Sequence, residues 1–206
     1  KILRQRNSLL KNYRISDIYV WNDKLSKDGN ILTKYRNEFF NKTVNQFKLI
    51  LDLIGAAKTF QLLNQIEIKF FSGWDKKFSL IETLEKNINA DKKRKTTLMG
   101  PHKSDIKFLI NECEAKQILS RGEQKIFSIL WSCSQNNVLK NEYDIDPLLI
   151  IDDVRSELDD RAFNLLVEIL NHTKSQVIFS CIDDTFSSKI TNNFNDFKKF
   201  HVEQLR

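Results

Sequence analysis

Two short polar segments, separated by a helix-like segment, carry the residue types that could do chemistry in this chain. The first, residues 119–125 (LSRGEQK), places a hydroxyl, a glycine and an amide at the start of a helical pattern. The second is the pair Asp152 and Asp153, which follows the apolar run at residues 148–151. A helix N-terminus favours anions such as phosphate, whereas carboxylates bind Mg²⁺ and orient water. Their order along the chain predicts a nucleotide-dependent protein.

The two carboxylates follow four apolar residues, a run typical of a strand that is buried on both faces of a parallel sheet. Ligand sites in such sheets lie at the carboxyl ends of the strands. Because successive strand residues face opposite ways, Asp152 and Asp153 would take different roles. One would hold Mg²⁺, largely through water, and the other would orient or deprotonate an attacking water. A strand that runs into a solvated acidic turn explains the same pattern.

The turn at Ser120 also has two interpretations. Its hydroxyl and the backbone N–H groups of the following residues would face an anion, and Gly122 would let the backbone approach that anion closely. Ser120 with Glu123 three residues later is equally a capping box, which needs no ligand. The nucleotide interpretation is favoured by the combination, because residues 156–159 (SELD) follow the acidic pair in a specific order and spacing.

Alternating strand and helix patterns position these segments. Strands are predicted at residues 105–110, 115–119, 148–151 and 176–181, with a possible edge strand at 200–205, and helices from Ser120 and over residues 158–170. A tight turn is predicted at residues 111–112. The alternation from Leu119 onward predicts an α/β lobe with a parallel sheet.

The earlier part of the chain is mainly helical by pattern. Helices are predicted at residues 1–12, 18–54 and 78–88, with a strand at 65–71, and the sequence Asp28-Gly29 could bend or break the long helix. Its apolar stripe is interpreted as the core of a compact subdomain rather than as an arm that docks DNA or a partner. We place the boundary near residue 95, which gives a helical subdomain over residues 1–95 and an α/β lobe over residues 96–206.

Charge and composition narrow the classes of function. Lys and Arg number 33 against 27 for Asp and Glu, and this modest basic excess allows a polyanionic partner without requiring one. The densest basic run, residues 92–95 (KKRK), is interpreted as a solvated loop slightly ahead of a phosphate contact, since no aromatic residues interleave it. The three cysteines and three histidines are scattered, which excludes a zinc or thiol enzyme. Neither a membrane span nor a signal peptide is visible, so we expect a cytoplasmic protein with reduced thiols.

Together these motifs resemble those of the RecF family of bacterial recombinational repair proteins, which are ABC-class ATPases related to the SMC proteins. Residues 119–125 are similar to the family's ABC signature, residues 151–153 to the end of its Walker B motif, and residues 156–159 to its D-loop. The resemblance covers the whole chain. Residue 97 with residues 100–105 is similar to the family's GPHRxD element, and residues 176–180 are similar to its last core strand. Three short segments resemble sequence marks of the family's helical arm: residues 5–7, 21–22 and 73–74.

The resemblance implies an α/β fold that is the C-terminal half of an ABC-type ATPase head, together with a mainly helical arm. Such heads sandwich two ATP molecules between two protomers. By the family pattern Asp152 serves Mg²⁺ and Asp153 takes the place of the catalytic acid, with slow hydrolysis. The signature turn would face the γ-phosphate of ATP held by the partner protomer, and Asp159 would lie across the dimer interface. The implied nucleotide-binding residues are Ser120, Arg121, Gly122, Glu123, Gln124 and Asp159.

The resemblance also implies a biological setting. It points to DNA replication, recombination and repair, and to the SOS response to DNA damage. The implied partners are single-stranded and gapped double-stranded DNA, a second copy of the chain in an ATP-dependent homodimer, and the proteins RecO and RecR, with which it would help to load recombinase. No membrane partner is implied.

The chain departs from the family pattern in two respects. Its five glycines give no G-x-x-x-x-G-K spacing, and the family places that Walker A loop in a lobe that precedes residue 1. This chain alone is therefore not expected to bind or hydrolyse ATP, which keeps open a non-catalytic DNA-binding or partner-docking module. Where ABC proteins place a switch histidine, the sequence here is Cys181-Ile182-Asp183, so no switch residue is assigned.

Overall fold

The computed structural model describes residues 1–12, 16–55, 60–154, 158–173, 175–180, 193–194 and 196–200. The chain forms two compact units. Unit 1 comprises Lys1–Val44 and Ile66–Ile118, and unit 2 comprises Asn45–Gln65 and Leu119–Arg206. The subdomain boundary near residue 95 stays a prediction.

Unit 1 combines helices with a small antiparallel sheet. The sheet has the order β1-β2-β3, and β1 pairs with β2 over the full length of β1, from Glu67 opposite Leu109 to Phe71 opposite Asp105. Its core includes Leu25, Leu80 and Leu84, which pack with Trp74. The elements are α1 (Ile2–Lys11), the first part of α2 (Ile18–Leu53), β1 (Glu67–Phe71), α3 (Leu80–Lys86), α4 (Ile88–Arg94), β2 (Asp105–Ile110), β3 (Cys113–Glu114) and the single turn α5 (Ala115–Ile118).

The predicted break at residues 28–29 is wrong, because α2 is one continuous helix of 36 residues. Gly29 lies inside it and is buried. A Cβ atom at this position would lie 2.7 Å from Leu80 Cδ2 and 2.8 Å from Pro101 Cγ, so the glycine leaves room for these side chains. Tertiary packing thus outweighs a helix-propensity cost of about 1 kcal/mol for glycine.

Two further predictions in unit 1 are corrected. The strand predicted at residues 115–119 is the helical turn α5, because the chain turns tightly at Asn111 and Glu112, both with positive φ, and then pairs only over Cys113–Glu114. Residues 92–94 form the last turn of α4 rather than a loop, and Lys95 is its left-handed C-cap. The sequence from Ala115 onward is rich in helix formers, which explains the first correction.

Unit 2 contains the parallel pair of strands that the sequence predicts. β4 (Leu149–Ile151) pairs with β5 (Val177–Phe179) in parallel, and the helices α6 (Arg121–Tyr143) and α7 (Asp160–Thr173) pack against each other. This confirms an α/β arrangement of a parallel sheet with helices. The expected burial of β4 on both faces is wrong for the described residues, because Ile150 is 67% exposed and its partner Ile178 is 50% exposed.

The residues before Gln65 contribute to the core of unit 2. The ring of Phe47, near the end of α2, lies 5.6 Å from the Phe127 ring in an edge-to-face arrangement and 6.0 Å from the Trp131 ring. Aromatic pairs at such distances stabilise by about 0.5–1.5 kcal/mol beyond the area that they bury. The possible edge strand at residues 200–205 lies outside the described residues except for Phe200, which is in no strand. Of the helices described, none is long and apolar enough to cross a bilayer.

Candidate nucleotide site

The acidic pair lies at the carboxyl end of β4, where the sequence places it. Asp152 directly follows the strand, and Asp153 turns the chain with a left-handed backbone, φ 43°. Both residues are exposed. Asp tolerates a positive φ better than most residues, because its short polar side chain can hydrogen-bond locally. The acidic pair therefore lies at the edge where ligand sites of parallel sheets form.

Ser180 holds this acidic turn from the neighbouring strand. Its hydroxyl donates to Asp152 Oδ1 and accepts a hydrogen bond from the Asp153 N–H at 2.9 Å. The backbone of Ser180 adds two more bonds, since its N–H donates to the Ile151 carbonyl at 3.1 Å and its carbonyl accepts from the Val154 N–H at 3.3 Å. Sequence reasoning assigned Ser180 only to the last core strand. The signal that could have found it is a hydroxyl at the end of the strand that pairs with β4.

Lys125 connects the signature turn to the acidic turn. It lies one and a half turns into α6, and its ammonium group donates to the Asp153 carbonyl. The Asp153 peptide groups are therefore fixed on both sides, by Ser180 at the N–H and by Lys125 at the carbonyl. The structure thus brings together the two segments that the sequence singled out, and it does so through a lysine that was not among the predicted site residues.

The signature turn forms the capping box that its sequence predicts. Ser120 is the N-cap of α6, its hydroxyl donates to Glu123 Oε2 at 2.7 Å, and the same carboxylate oxygen accepts the Ser120 N–H at 2.9 Å. Gln124 Nε2 donates to the Leu119 carbonyl at 2.8 Å. These bonds use Ser120, Glu123 and Gln124 locally. No hydrogen bond among the described residues takes up the N–H groups of Arg121 and Gly122, which are the orphan donors of a helix N-terminus.

Asp159 has a local role at the start of α7. Its carboxylate accepts the Ala162 N–H at 2.8 Å, and its carbonyl accepts the Phe163 N–H at 2.9 Å, as an N-cap residue does. Of the predicted D-loop, Ser156 and Glu157 lie outside the described residues, as do Cys181, Ile182 and Asp183. The exposed position of Asp159 is compatible with an interface, and its hydrogen bonds already account for an Asp at this position.

The residues present fit a magnesium ion that is shared with phosphate and water. In the described part of the chain, no group of three or more His, Cys, Asp or Glu residues could enclose a metal. Asp152 uses Oδ1 for Ser180, and no hydrogen bond among the described residues engages its Oδ2. Mg²⁺ keeps several waters and takes one or two carboxylates together with nucleotide phosphates, so a single exposed carboxylate suits it. Asp152 is the residue that would serve such an ion.

A second cluster joins the arm marks in unit 1. Arg6 is fully buried, and its Nη1 donates to Asp91 Oδ2 and to Thr97 Oγ1, both at 2.7 Å. Its Nε donates to Asn22 Oδ1 at 2.7 Å, and Asn7 Oδ1 accepts both the hydroxyl and the N–H of Thr97. Three of the sequence marks, at residues 6–7, 22 and 97, therefore form one buried network. The network ties α1, α2 and α4 together. Removing one of its members would leave a buried charge unpaired, which is costly.

The two described cysteines have different surroundings, Cys133 being buried and Cys113 exposed. Burial raises the pKa of Cys133 to about 11, so its thiol stays protonated near neutral pH. Cys113 is an exposed free cysteine on β3 in unit 1, away in sequence from the acidic turn.

Comparison with known proteins gives one consistent result. The chain is 31% identical to the DNA replication and repair protein RecF of Pseudoalteromonas translucida, in an alignment 208 residues long that covers 98% of this chain and 56% of that protein. It is 32% identical to RecF of Coxiella burnetii, over 88% of this chain and 49% of that protein. It is 30% identical to RecF of Shewanella frigidimarina, over 99% of this chain and 55% of that protein. The chain thus spans about half the length of these curated relatives. No protein-family model matches it.

Solved structures agree with the sequence relatives. A structure described as the recombination mediator protein RecF–ATP in the RecFOR pathway matches with a TM-score of 0.68 and 27% identity, over 89% of this chain and 51% of that one. A second structure, described as the recombination mediator protein RecF–ATPrS in the RecFOR pathway, gives the same values. Nearly the whole of this chain is therefore homologous to the C-terminal portion of RecF, which confirms what its motifs predicted.

Proposed function

We propose that this chain supplies the signature turn, the acidic turn and the arm of an ABC-class ATPase of the RecF type, which acts in recombinational DNA repair and replication restart. In this proposal residues 1–95 belong to the arm and residues 96–206 to the C-terminal lobe of the head. The proposal is supported by relatives named as DNA replication and repair proteins and by a solved relative described with ATP. Cytoplasmic location follows from the same relationship.

The acidic turn is proposed to serve a nucleotide bound by the same protomer. Asp152 would hold Mg²⁺ through Oδ2 and through water, while Ser180 keeps its other carboxylate oxygen in place. Asp153 would orient the attacking water and accept its proton. Hydrolysis of bound ATP would supply the free energy for changes in dimerisation. Because Asp153 is shorter by one methylene than the Glu of most ABC proteins, slow turnover fits a timing role.

The signature turn is proposed to serve a nucleotide held by a second copy of the chain. The unused N–H groups of Arg121 and Gly122 would donate to its γ-phosphate, and the Ser120 hydroxyl would join them by exchanging its bond to Glu123. Glu123 and Gln124 would hold the shape of the turn, and Asp159 would meet the partner across the interface. ATP would therefore be sandwiched in a homodimer.

The observation that carries this proposal is the bond from Lys125 to the Asp153 carbonyl, together with the Ser180 bridge. It joins the signature turn to the acidic turn by hydrogen bonds, which neither a simple capping box nor a solvated acidic turn requires. The DNA partners, single-stranded or gapped double-stranded, and the partners RecO and RecR rest on the relationship to proteins of the RecFOR pathway. Help in loading recombinase is part of the same proposal.

The experiment is a pair of matched substitutions in the full-length gene product. Ser120→Asp keeps an N-cap but places a negative charge against the proposed γ-phosphate, so ATP-dependent dimerisation should be lost while ATP binding persists. Ser79 forms the same capping box with Glu82 at the start of α3, so Ser79→Asp is the control and should dimerise normally. Light scattering with and without ATP measures both variants. Normal dimerisation of Ser120→Asp would contradict the proposed role of the turn.

A second candidate, a non-catalytic DNA-binding or partner-docking module, follows from one observation. The chain carries no G-x-x-x-x-G-K sequence with which to hold a nucleotide. If the full-length gene product binds no ATP, this candidate replaces the first one. Equilibrium binding of a fluorescent ATP analogue distinguishes the two.

A further inference from the structure

The solvent-facing surfaces of α1 and α4 carry only positive charge. Residues 1–12 contain four basic residues and no acidic residue, and residues 88–96 contain four basic residues and a single acid, Asp91. The two helices pack against each other, and Asp91 is consumed internally by its buried ion pair with Arg6. Seven basic residues and no acid remain: Lys1, Arg4, Lys11, Lys92, Lys93, Arg94 and Lys95. We call this set the α1–α4 basic face.

Local structure does not account for the basic run in α4. One cation in the last turn of a helix stabilises its dipole by about 0.3–1 kcal/mol, but four consecutive cations also repel one another. Lys95 has φ 55°, a conformation in which glycine or asparagine is favoured. Neither Lys93 nor Arg94 forms an ion pair with a described carboxylate, and both are exposed. The charges of Lys93 and Arg94 therefore face solvent rather than stabilise the fold.

The chemistry of this face suits a row of phosphates. α1 has ten residues and is about 15 Å long, and duplex DNA of that length carries roughly nine phosphates. Neither α1 nor α4 contains an aromatic residue, so the face lacks the stacking platforms that single-stranded nucleic acids use. Lys and Arg without aromatic neighbours neutralise a backbone and read no bases.

We propose that the α1–α4 basic face binds the phosphate backbone of duplex DNA independently of base sequence. The inference deepens the proposed function, because it names the surface of unit 1 that would hold the DNA. It uses no residue of the acidic or signature turns. The buried ion pair of Arg6 and Asp91 fixes α1 to α4, the two helices that carry these cations.

The test compares two triple variants of the full-length gene product without nucleotide. Lys93→Gln, Arg94→Gln and Lys95→Gln remove three cations from the face. Lys34→Gln, Lys76→Gln and Lys77→Gln remove three exposed cations from elsewhere in unit 1, so both variants lose the same net charge. Fluorescence anisotropy with a labelled duplex of mixed sequence, between about 50 and 200 mM salt, gives affinity and salt dependence for each.

The face variant should bind DNA at least tenfold more weakly, and the slope of log K against log salt should be shallower by roughly 2.7, about 0.9 for each lost cation. The control variant should keep both values nearly unchanged. Equal slopes for the two variants would overturn the proposal. Displacement of the DNA by phosphatidylserine vesicles at equal phosphate concentration would also overturn the proposal, since the face would then suit a lipid surface. A loss of affinity confined to one DNA sequence would overturn it as well.

Failure here is distinguishable from failure of the proposed ATPase. The same face variant is assayed for ATP-dependent dimerisation, which should match that of the unchanged protein because the substituted residues lie outside the nucleotide site. A face variant that binds DNA normally while the unchanged protein dimerises with ATP would overturn only the surface assignment.

Discussion

Asp153 shows how one residue can be constrained by backbone and chemistry together. Its φ of 43° disfavours residues with a bulky Cβ substituent, and both of its peptide groups are held, by Ser180 and by Lys125. Asparagine shares the tolerance of aspartate for this conformation, whereas alanine does not. Substitution by asparagine therefore removes the acid and keeps the turn, whereas substitution by alanine affects both.

We expect Asp153→Asn to keep the stability of the protein and to abolish most ATP turnover, because the amide fits the turn and cannot accept the proton of water. Asp153→Ala should lose the same activity and also destabilise the fold by about 1 kcal/mol, since alanine pays for a left-handed backbone. Thermal unfolding and phosphate release in the full-length gene product measure the two effects. Undiminished turnover in Asp153→Asn would show that another residue is the base.

A second prediction concerns Ser180, which bonds both residues of the acidic turn. Ser180→Ala removes the bond to Asp152 and the acceptor of the Asp153 N–H, so we expect a stability loss of about 1 kcal/mol and a higher magnesium requirement for ATP turnover. Ser180→Thr keeps the hydroxyl and should restore the magnesium requirement. Ser132 on α6 bonds only a helix carbonyl, so Ser132→Ala is the control. A purely structural Ser180 would leave the magnesium titration of the alanine variant unchanged.

Among the elements, features that depend on neighbouring residues were predicted from the sequence, whereas features that depend on tertiary contacts were not. The capping box at Ser120 and the turn at residues 111–112 depend on neighbouring residues and are present as predicted. The continuity of α2 at Gly29 depends on Leu80 and Pro101, distant in sequence, and was missed. The Ser180 bridge depends on the parallel register that places Ile151 opposite Phe179, which no local pattern contains. The acidic pair was located, but the residues that hold it were not.

A further prediction concerns Gly29 in the long helix α2. Gly29→Ala should destabilise the protein by about 1 kcal/mol or more, because the new methyl group meets the rigid ring of Pro101 and the buried Leu80, and the overpacking exceeds the gain in helix propensity. Asn30→Ala, the next residue and exposed on the same helix, should instead stabilise by a few tenths of a kcal/mol. Urea unfolding measures both. A stabilised Gly29→Ala would show that α2 packs less closely here than the structure indicates.

At the scale of the whole molecule, neither unit is continuous in sequence. Residues 45–65 belong with residues 119–206, while residues 66–118 complete the unit that begins at residue 1. Phe47 packs on Phe127 and Trp131, so the core of unit 2 draws on both of its segments. A cut at any single position leaves at least one unit incomplete.

A fragment of residues 119–206 should therefore be unfolded or molten, with little near-ultraviolet circular dichroism from Trp131. Adding a peptide of residues 45–65 should restore part of the signal, and the same peptide with Phe47→Ala should restore less, because it lacks the ring that meets Phe127. A fully folded fragment 119–206 without the peptide would show that the earlier segment is dispensable.

The interleaving of the two units also bears on how the protein is made. A ribosome releases residues 45–65 before residues 119–206, so the ring of Phe47 has to wait for its partner Phe127 while the 80 residues from 48 to 127 are synthesised. Unit 1 can finish once residue 118 emerges, whereas unit 2 also needs the residues from Leu119 onward. A nascent chain that stalls between residues 118 and 151 would thus hold all of unit 1 and none of the acidic turn.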